Sequence, residues 1–216
     1  MEIYLVRHGE TNWNKLRKIQ GRSDIPLNDF GKYLAEKTRE GLNSIDFNIC
    51  FTSPLIRAYE TAEIILKGKD TDIVKEGRIE EMAFGELEGV SVIASKDHKP
   101  PKGFSNFFNN TQRFVPANGG ETFDAVRKRT SNFITELCND KKYEDGNILV
   151  TTHGAALASI VNGIKNEPIS KFWGDGVSKN CGVTKVRVMD GKPEIIFENK
   201  VYYDDELESW DKDVRR

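Results

Sequence analysis

The chain has 216 residues, 31% of them charged, a formal net charge of -2, and three cysteines, Cys50, Cys138 and Cys181, that form no C-x-x-C pair. This length can bury roughly 70% of the unfolded surface without a staple, the charge excludes a global basic field for nucleic acid or anionic lipid, and the cysteine spacing argues against zinc or a disulfide framework. No stretch matches a secretory leader or a membrane span, so a cytoplasmic protein is expected.

The first predicted element is a buried strand, Ile3-Tyr4-Leu5-Val6, running straight into Arg7-His8-Gly9-Glu10-Thr11. A polar loop to about residue 27 follows, then a helix over 28–42 with Leu34 and Thr38 at i, i+4 spacing. A second strand is predicted over 47–52. Ser53-Pro54 then reads as an N-cap hydroxyl and a first-turn proline, which starts a helix at that point and places Arg57 in its first turn. A short strand at 73–76 precedes a loop over 78–89 with glycines at 85 and 89.

From about 90 to 118 no period is sustained, which marks an inserted lid rather than a core layer. Its Lys96, His98, Lys99, Lys102 and Arg113 alternate with Phe104, Phe107, Phe108 and Phe114. Two readings stay open for the phenylalanines: a surface for the apolar remainder of a ligand, or the lid's own small core. Gly119-Gly120-Glu121-Thr122 opens a helix through Leu137, and Ile148 to Thr152 forms a strand ending in His153-Gly154. A buried helix over 155–164 and two strands over 182–188 and 194–199, joined by an Asp190-Gly191 turn, complete the pattern.

Alternating strands and helices predict an α/β fold: a mainly parallel sheet with helices on both faces, an antiparallel edge hairpin and a small inserted lid. One domain over 1–200 and an acidic tail over 201–216, with Trp210 in it, are expected. Glycines 9 and 154 are expected to adopt positive φ in tight turns.

Two of the three histidines, His8 and His153, thus sit at the carboxyl ends of apolar strands, where open α/β sheets bind ligands. A neutral imidazole is a good nucleophile near pH 7, and a planar cation suits a phosphoryl dianion. The pattern therefore reads as phosphoryl chemistry through a phosphohistidine. There is no Asp-x-Asp at a strand end and no P-loop lysine, so arginines, with Arg7 and Arg57 as candidates, would carry the charge in place of a metal.

Five stretches in order, Arg7-His8-Gly9-Glu10-Thr11, Ser53 to Ala58, Glu81 with Phe84 to Gly89, Gly119 to Thr122, and His153-Gly154, resemble the histidine phosphatase superfamily, the phosphoglycerate mutase-like proteins. The resemblance implies that His8 is the phosphorylated nucleophile, that Arg7, Arg57 and His153 form the phosphate pocket, that Glu81 is the proton donor, and that Asn14 lines the pocket. The resemblance admits both hydrolysis of the phosphohistidine and its return to a bound sugar-acid phosphate. The expectation is a metal-independent phosphomonoester hydrolase with no cofactor, acting on a small-molecule phosphomonoester, and charge and hydropathy favour no nucleic-acid or membrane partner. A cofactor-dependent phosphoglycerate mutase is the alternative. Its paired-arginine insertion is absent between Val90 and Asn118. A silent phosphate-binding module is a second alternative, opposed by the presence of nucleophile and acid together. The oligomeric state is left open.

Overall fold

The computed structural model describes residues 1–93, 99 and 101–204. Lys96, His98 and Trp210 lie outside these. The six strands form one sheet in the order β3-β2-β4-β1-β5-β6, where β1 is Glu2–Arg7, β2 Ile49–Thr52, β3 Ile73–Lys75, β4 Asn147–Thr152, β5 Val183–Met189 and β6 Lys192–Lys200. The β1, β4, β2 and β3 strands run parallel, whereas β5 pairs antiparallel with β1, and β6 with β5. Asp190 and Gly191 both take positive φ, 51° and 71°, at the turn of that hairpin. Those are the signs that a two-residue turn needs to match strand twist.

Alternation along β1 explains the layers. Ile3 and Leu5 join one cluster with Phe133, Ile134 and Leu137 of α5 (Phe123–Asn139) and with Leu157 and Ile160 of α6 (Gly154–Ile164). Tyr4 and Val6 point the other way. They pack with Ala62 and Ile65 of α3 (Ile56–Ile65) and with Leu42, which caps α2 (Asp29–Gly41). Helices therefore cover both faces, and the carboxyl ends of β1 and β4 stand side by side, with Arg7 opposite Thr152.

Three details differ from the sequence expectation. The loop after β1 contains a one-turn helix, α1 (Asn12–Lys15), closed by a capping box between Thr11 and Asn14. Four residues carry too little periodicity to reveal themselves. Helix α3 starts at Ile56 rather than at Pro54. Its first free N–H, that of Ile56, goes to Asp24 Oδ1 at 2.7 Å, a partner from the loop after α1, while the Ser53 hydroxyl turns to a histidine. Finally, neither Gly9 nor Gly154 has positive φ.

In the lid segment α4 (Ser105–Asn109) and a 3-10 turn at Thr111–Arg113 fold over a cluster of aromatic side chains. Phe104 and Phe107 are buried there with Phe84, Phe123 and Phe172. Phe108 and Phe114 pack against them, half-buried. Of the two readings, the phenylalanines make a core.

Candidate active site

Two strand ends, the first turn of α3 and the loop that carries Glu81 deliver the site. His8 follows β1, its N–H donating to the Thr152 carbonyl at 2.9 Å, so the chain leaves the sheet still tied to β4. Gly9 is needed for close approach, because a Cβ there would lie 2.5 Å from the Gly31 carbonyl oxygen at the start of α2. The Gly9 N–H donates to Thr61 Oγ1 of α3 at 3.0 Å. Together these contacts hold the residue after His8 between two helices.

The His8 ring is buried and donates from Nδ1 to the Gly9 carbonyl at 2.7 Å. That bond fixes the tautomer and leaves a lone pair on Nε2. Arg57 Nε donates to this Nε2 at 3.3 Å. The same guanidinium donates from Nη1 to the Ser23 carbonyl at 2.8 Å and from Nη2 to the Gly21 carbonyl at 2.7 Å. Arg57 is 0% exposed, and burial lowers its pKa to about 10, so it stays a cation at neutral pH.

His153 comes from the end of β4 and occupies the N-cap position of α6. Its ring centroid lies 5.1 Å from that of His8. The two sequence-remote imidazoles do meet. Burial first, and the Arg57 cation second, push both rings well below the usual histidine value, so both are neutral. Arg7 is buried beside them and donates from Nη1 to the Ser178 carbonyl.

Glu81 sits at the N-terminus of α6. Its carboxylate accepts from the N–H groups of Met82 at 2.9 Å, Ala155 at 3.1 Å and Ala156 at 3.1 Å. A methyl on Gly154 would lie 3.6 Å from Glu81 Oε2 and 3.8 Å from Arg7 Nε, so Glu81 and Arg7 flank one glycine. His8, Arg7, Arg57, His153 and Glu81 therefore converge. Asn14 is buried nearby in sequence to His8, but its Oδ1 is engaged by the Thr11 N–H at 3.0 Å in the α1 cap.

Several supporting contacts escaped the sequence reading, including those of Glu88 and Glu121, which lie in stretches it singled out. Asn180 donates to the His8 carbonyl at 2.8 Å, and the Cys181 N–H donates to the Arg7 carbonyl at 2.9 Å, so the chain before β5 clasps both residues. Arg129 of α5 donates to the carbonyls of Arg78, Glu80 and Glu81 at 2.9, 2.7 and 3.0 Å and pairs with Glu121, pinning the loop that carries Glu81. Glu88 accepts from the N–H groups of Arg22 and Ser23, from the Ser23 hydroxyl and from the Phe84 N–H. Burial would raise its pKa, but these hydrogen bonds outweigh it and hold the carboxyl below its ordinary value. None of these pairings has a local sequence signature.

A profile described as the histidine phosphatase superfamily (branch 1) matches residues 3–200. The chain belongs to this superfamily. As a histidine phosphatase superfamily member it is 34% identical to phosphoglycerate mutase-like protein 4 of Arabidopsis thaliana, over 74% of this chain and 69% of the relative. It is 28% identical to phosphoserine phosphatase 1 of Hydrogenobacter thermophilus, over 82% of each chain. Among solved structures, Bacillus stearothermophilus YhfR superimposes with a TM-score of 0.84 at 30% identity, covering 93% of this chain and 97% of that one. The names of the sequence relatives thus include both a mutase-like protein and a phosphatase.

Proposed function

We propose that this chain is a metal-independent phosphomonoesterase that works through a phosphohistidine on His8. The observation that carries the reading is the pair of neutral, buried imidazoles 5.1 Å apart, with the Arg57 guanidinium against the His8 Nε2. Two cations, Arg7 and Arg57, complete the donor set that in-line phosphoryl transfer asks for, and the Glu81 carboxyl group is the proton carrier, entering the first step protonated.

In the first step the Nε2 lone pair attacks phosphorus, the P–O ester bond breaks, and Glu81 gives its proton to the leaving alkoxide. As the N–P bond forms, a phosphoryl oxygen takes the place of the Nε2 lone pair in front of the Arg57 Nε–H, so the group that shields the lone pair at rest stabilises the charge in flight without moving. In the second step the Glu81 carboxylate takes a proton from water, the water oxygen bonds to phosphorus, the P–N bond breaks and inorganic phosphate leaves. His8 returns neutral, still oriented by the Gly9 carbonyl.

A small polar ester is the substrate class this reading favours. The lid phenylalanines close on one another, which removes the argument for an apolar ester remainder. The phosphoserine phosphatase relative points the same way. Three free, buried cysteines suit a reducing, cytoplasmic setting.

The test is a panel of phosphomonoesters, including phosphoserine and 3-phosphoglycerate, run with and without 2,3-bisphosphoglycerate, with EDTA present. Release of inorganic phosphate without the bisphosphate supports the hydrolase. Isomerisation that depends on the bisphosphate would make the chain a mutase, and no turnover with any ester would make it a binding module. Alkaline denaturation during turnover should trap a phosphohistidine in the wild type and none in His8→Ala. Retained turnover in that variant would remove His8 from its role.

A further inference from the structure

The hydroxyl of Ser53 lies 2.7 Å from His153 Nε2, and both residues are 0% exposed. The Ser53 oxygen also accepts the Leu55 N–H, at 3.3 Å. Backbone contacts fix the serine itself, since its N–H donates to the Thr151 carbonyl at 3.0 Å. The other ring nitrogen of His153, Nδ1, is buried and has no hydrogen-bond partner.

A neutral imidazole has one N–H, so two arrangements of this pair must be compared. If Nε2 carried the proton, it would donate to the Ser53 oxygen. The hydroxyl hydrogen would then need an acceptor inside a solvent-excluded site, and Nδ1 would turn a lone pair to whatever it meets. If Nδ1 carries the proton, the bonds run in one direction: Leu55 N–H to Ser53 oxygen, Ser53 O–H to Nε2. Every group on the chain is then used except a single N–H on Nδ1. Leaving a buried hydroxyl hydrogen unpaired is the costlier choice, so the second arrangement prevails.

We propose that Ser53 is a positioning residue that locks His153 as its Nδ1–H tautomer, so that the ring offers an N–H donor, and not a lone pair, to the phosphoryl group beside His8. This rests on the phosphatase reading for the identity of the anion, though not for the tautomer. Choice of tautomer matters because the ring is neutral: an imidazolium would donate from both nitrogens whatever Ser53 did. It also gives Ser53-Pro54 a use other than the helix cap that its sequence suggests, since α3 begins three residues later.

The experiment is imidazole 15N NMR of the whole protein near pH 7.5, with His98→Gln to assign signals, together with binding of inorganic phosphate. The wild type should show His153 protonated at Nδ1 and bare at Nε2. In Ser53→Ala, which removes only a hydroxyl, a population protonated at Nε2 should appear, and phosphate affinity and kcat should each fall about 10- to 100-fold. Ser53→Cys, of nearly the same shape but a weaker donor, should fall between the two. Protonation at Nε2 in the wild type, or a Ser53→Ala variant with unchanged tautomer and phosphate affinity, would overturn the proposal. A wild type that binds phosphate but turns over no ester would sink the phosphatase reading while the NMR still judges Ser53.

Discussion

Arg57 has its three kinds of nitrogen directed at once, Nε to His8 and the two Nη atoms to the carbonyls of Ser23 and Gly21. A planar fork held by two carbonyls can aim a third N–H without conformational cost during the reaction, which a lysine ammonium on a flexible stem cannot. Arg57→Lys should therefore keep the charge and still lose about 10²- to 10³-fold in kcat on p-nitrophenyl phosphate. A rate within a few-fold of wild type would show that charge alone suffices. The buried imidazoles also set a pH dependence of folding. His8 and His153 titrate well below 6.5 in the folded chain, because of burial and then the Arg57 cation. On unfolding the rings regain a value of about 6.5 and take up protons that the native state refuses. Stability from these rings is thus full above about 6.5 and falls as the pH drops toward the folded values, by up to about 1.4 kcal/mol per pH unit for each ring. Urea unfolding between pH 5.5 and 7.5 should show this slope, and His153→Gln should reduce it. A flat profile over that range would contradict the neutral, buried state of the pair.

Short loops, more than the helices and strands, aim the reactive groups. The carbonyls that hold Arg57 belong to residues 21 and 23, and this turn is itself fastened by Glu88, at 3.0 Å to the Arg22 N–H, 2.8 Å to the Ser23 N–H and 2.7 Å to the Ser23 hydroxyl. The same carboxylate reaches the Phe84 N–H at 3.1 Å, tying the turn to the segment after Glu81. One side chain therefore couples the loop that orients Arg57 to the loop that carries Glu81, the acid of the proposed mechanism. Glu88→Ala leaves these donors without an acceptor and should lower stability by about 1–3 kcal/mol. Because Arg57 then loses its fixed aim, kcat should fall by more than KM rises. Thermal melts and steady-state kinetics on one ester separate the two effects, and a destabilised variant with wild-type kcat would make Glu88 purely structural.

At the scale of the whole molecule, the mainly parallel sheet and its antiparallel hairpin, though not the strand order, were legible because their signals are local: apolar runs of strand length, helix-length stretches between them, and Asp190-Gly191 between two β-rich stretches. The two His-Gly strand ends also gave the location of the candidate site, since parallel strands bring their carboxyl ends to one edge. What could not be read were contacts between remote residues, such as His153 with Ser53 across 100 positions, Asn180 with the His8 carbonyl across 172, and Arg129 with the Glu81 carbonyl across 48. Composition left the lid phenylalanines ambiguous for a related reason: an apolar side chain in an aperiodic segment looks the same whether it meets a ligand or another ring. Packing decides it. Phe107 is 3% exposed, with ring centroids of Trp173 at 5.0 Å, Phe84 at 5.1 Å and Phe104 and Phe123 at 5.2 Å around it. The Trp173 indole N–H donates to the Phe107 carbonyl at 2.6 Å, so this ring also fastens the chain after α6 to α4. Truncation to alanine would leave a cavity that rigid neighbours cannot fill, at a cost of about 3–5 kcal/mol. Phe107→Ala should therefore unfold at markedly lower urea concentration, while the ratio of kcat/KM between phosphoserine and an aromatic ester stays at its wild-type value in the folded fraction. A small loss of stability with a changed ester preference would place the ring on the substrate's surface and reverse the assignment of this cluster as core.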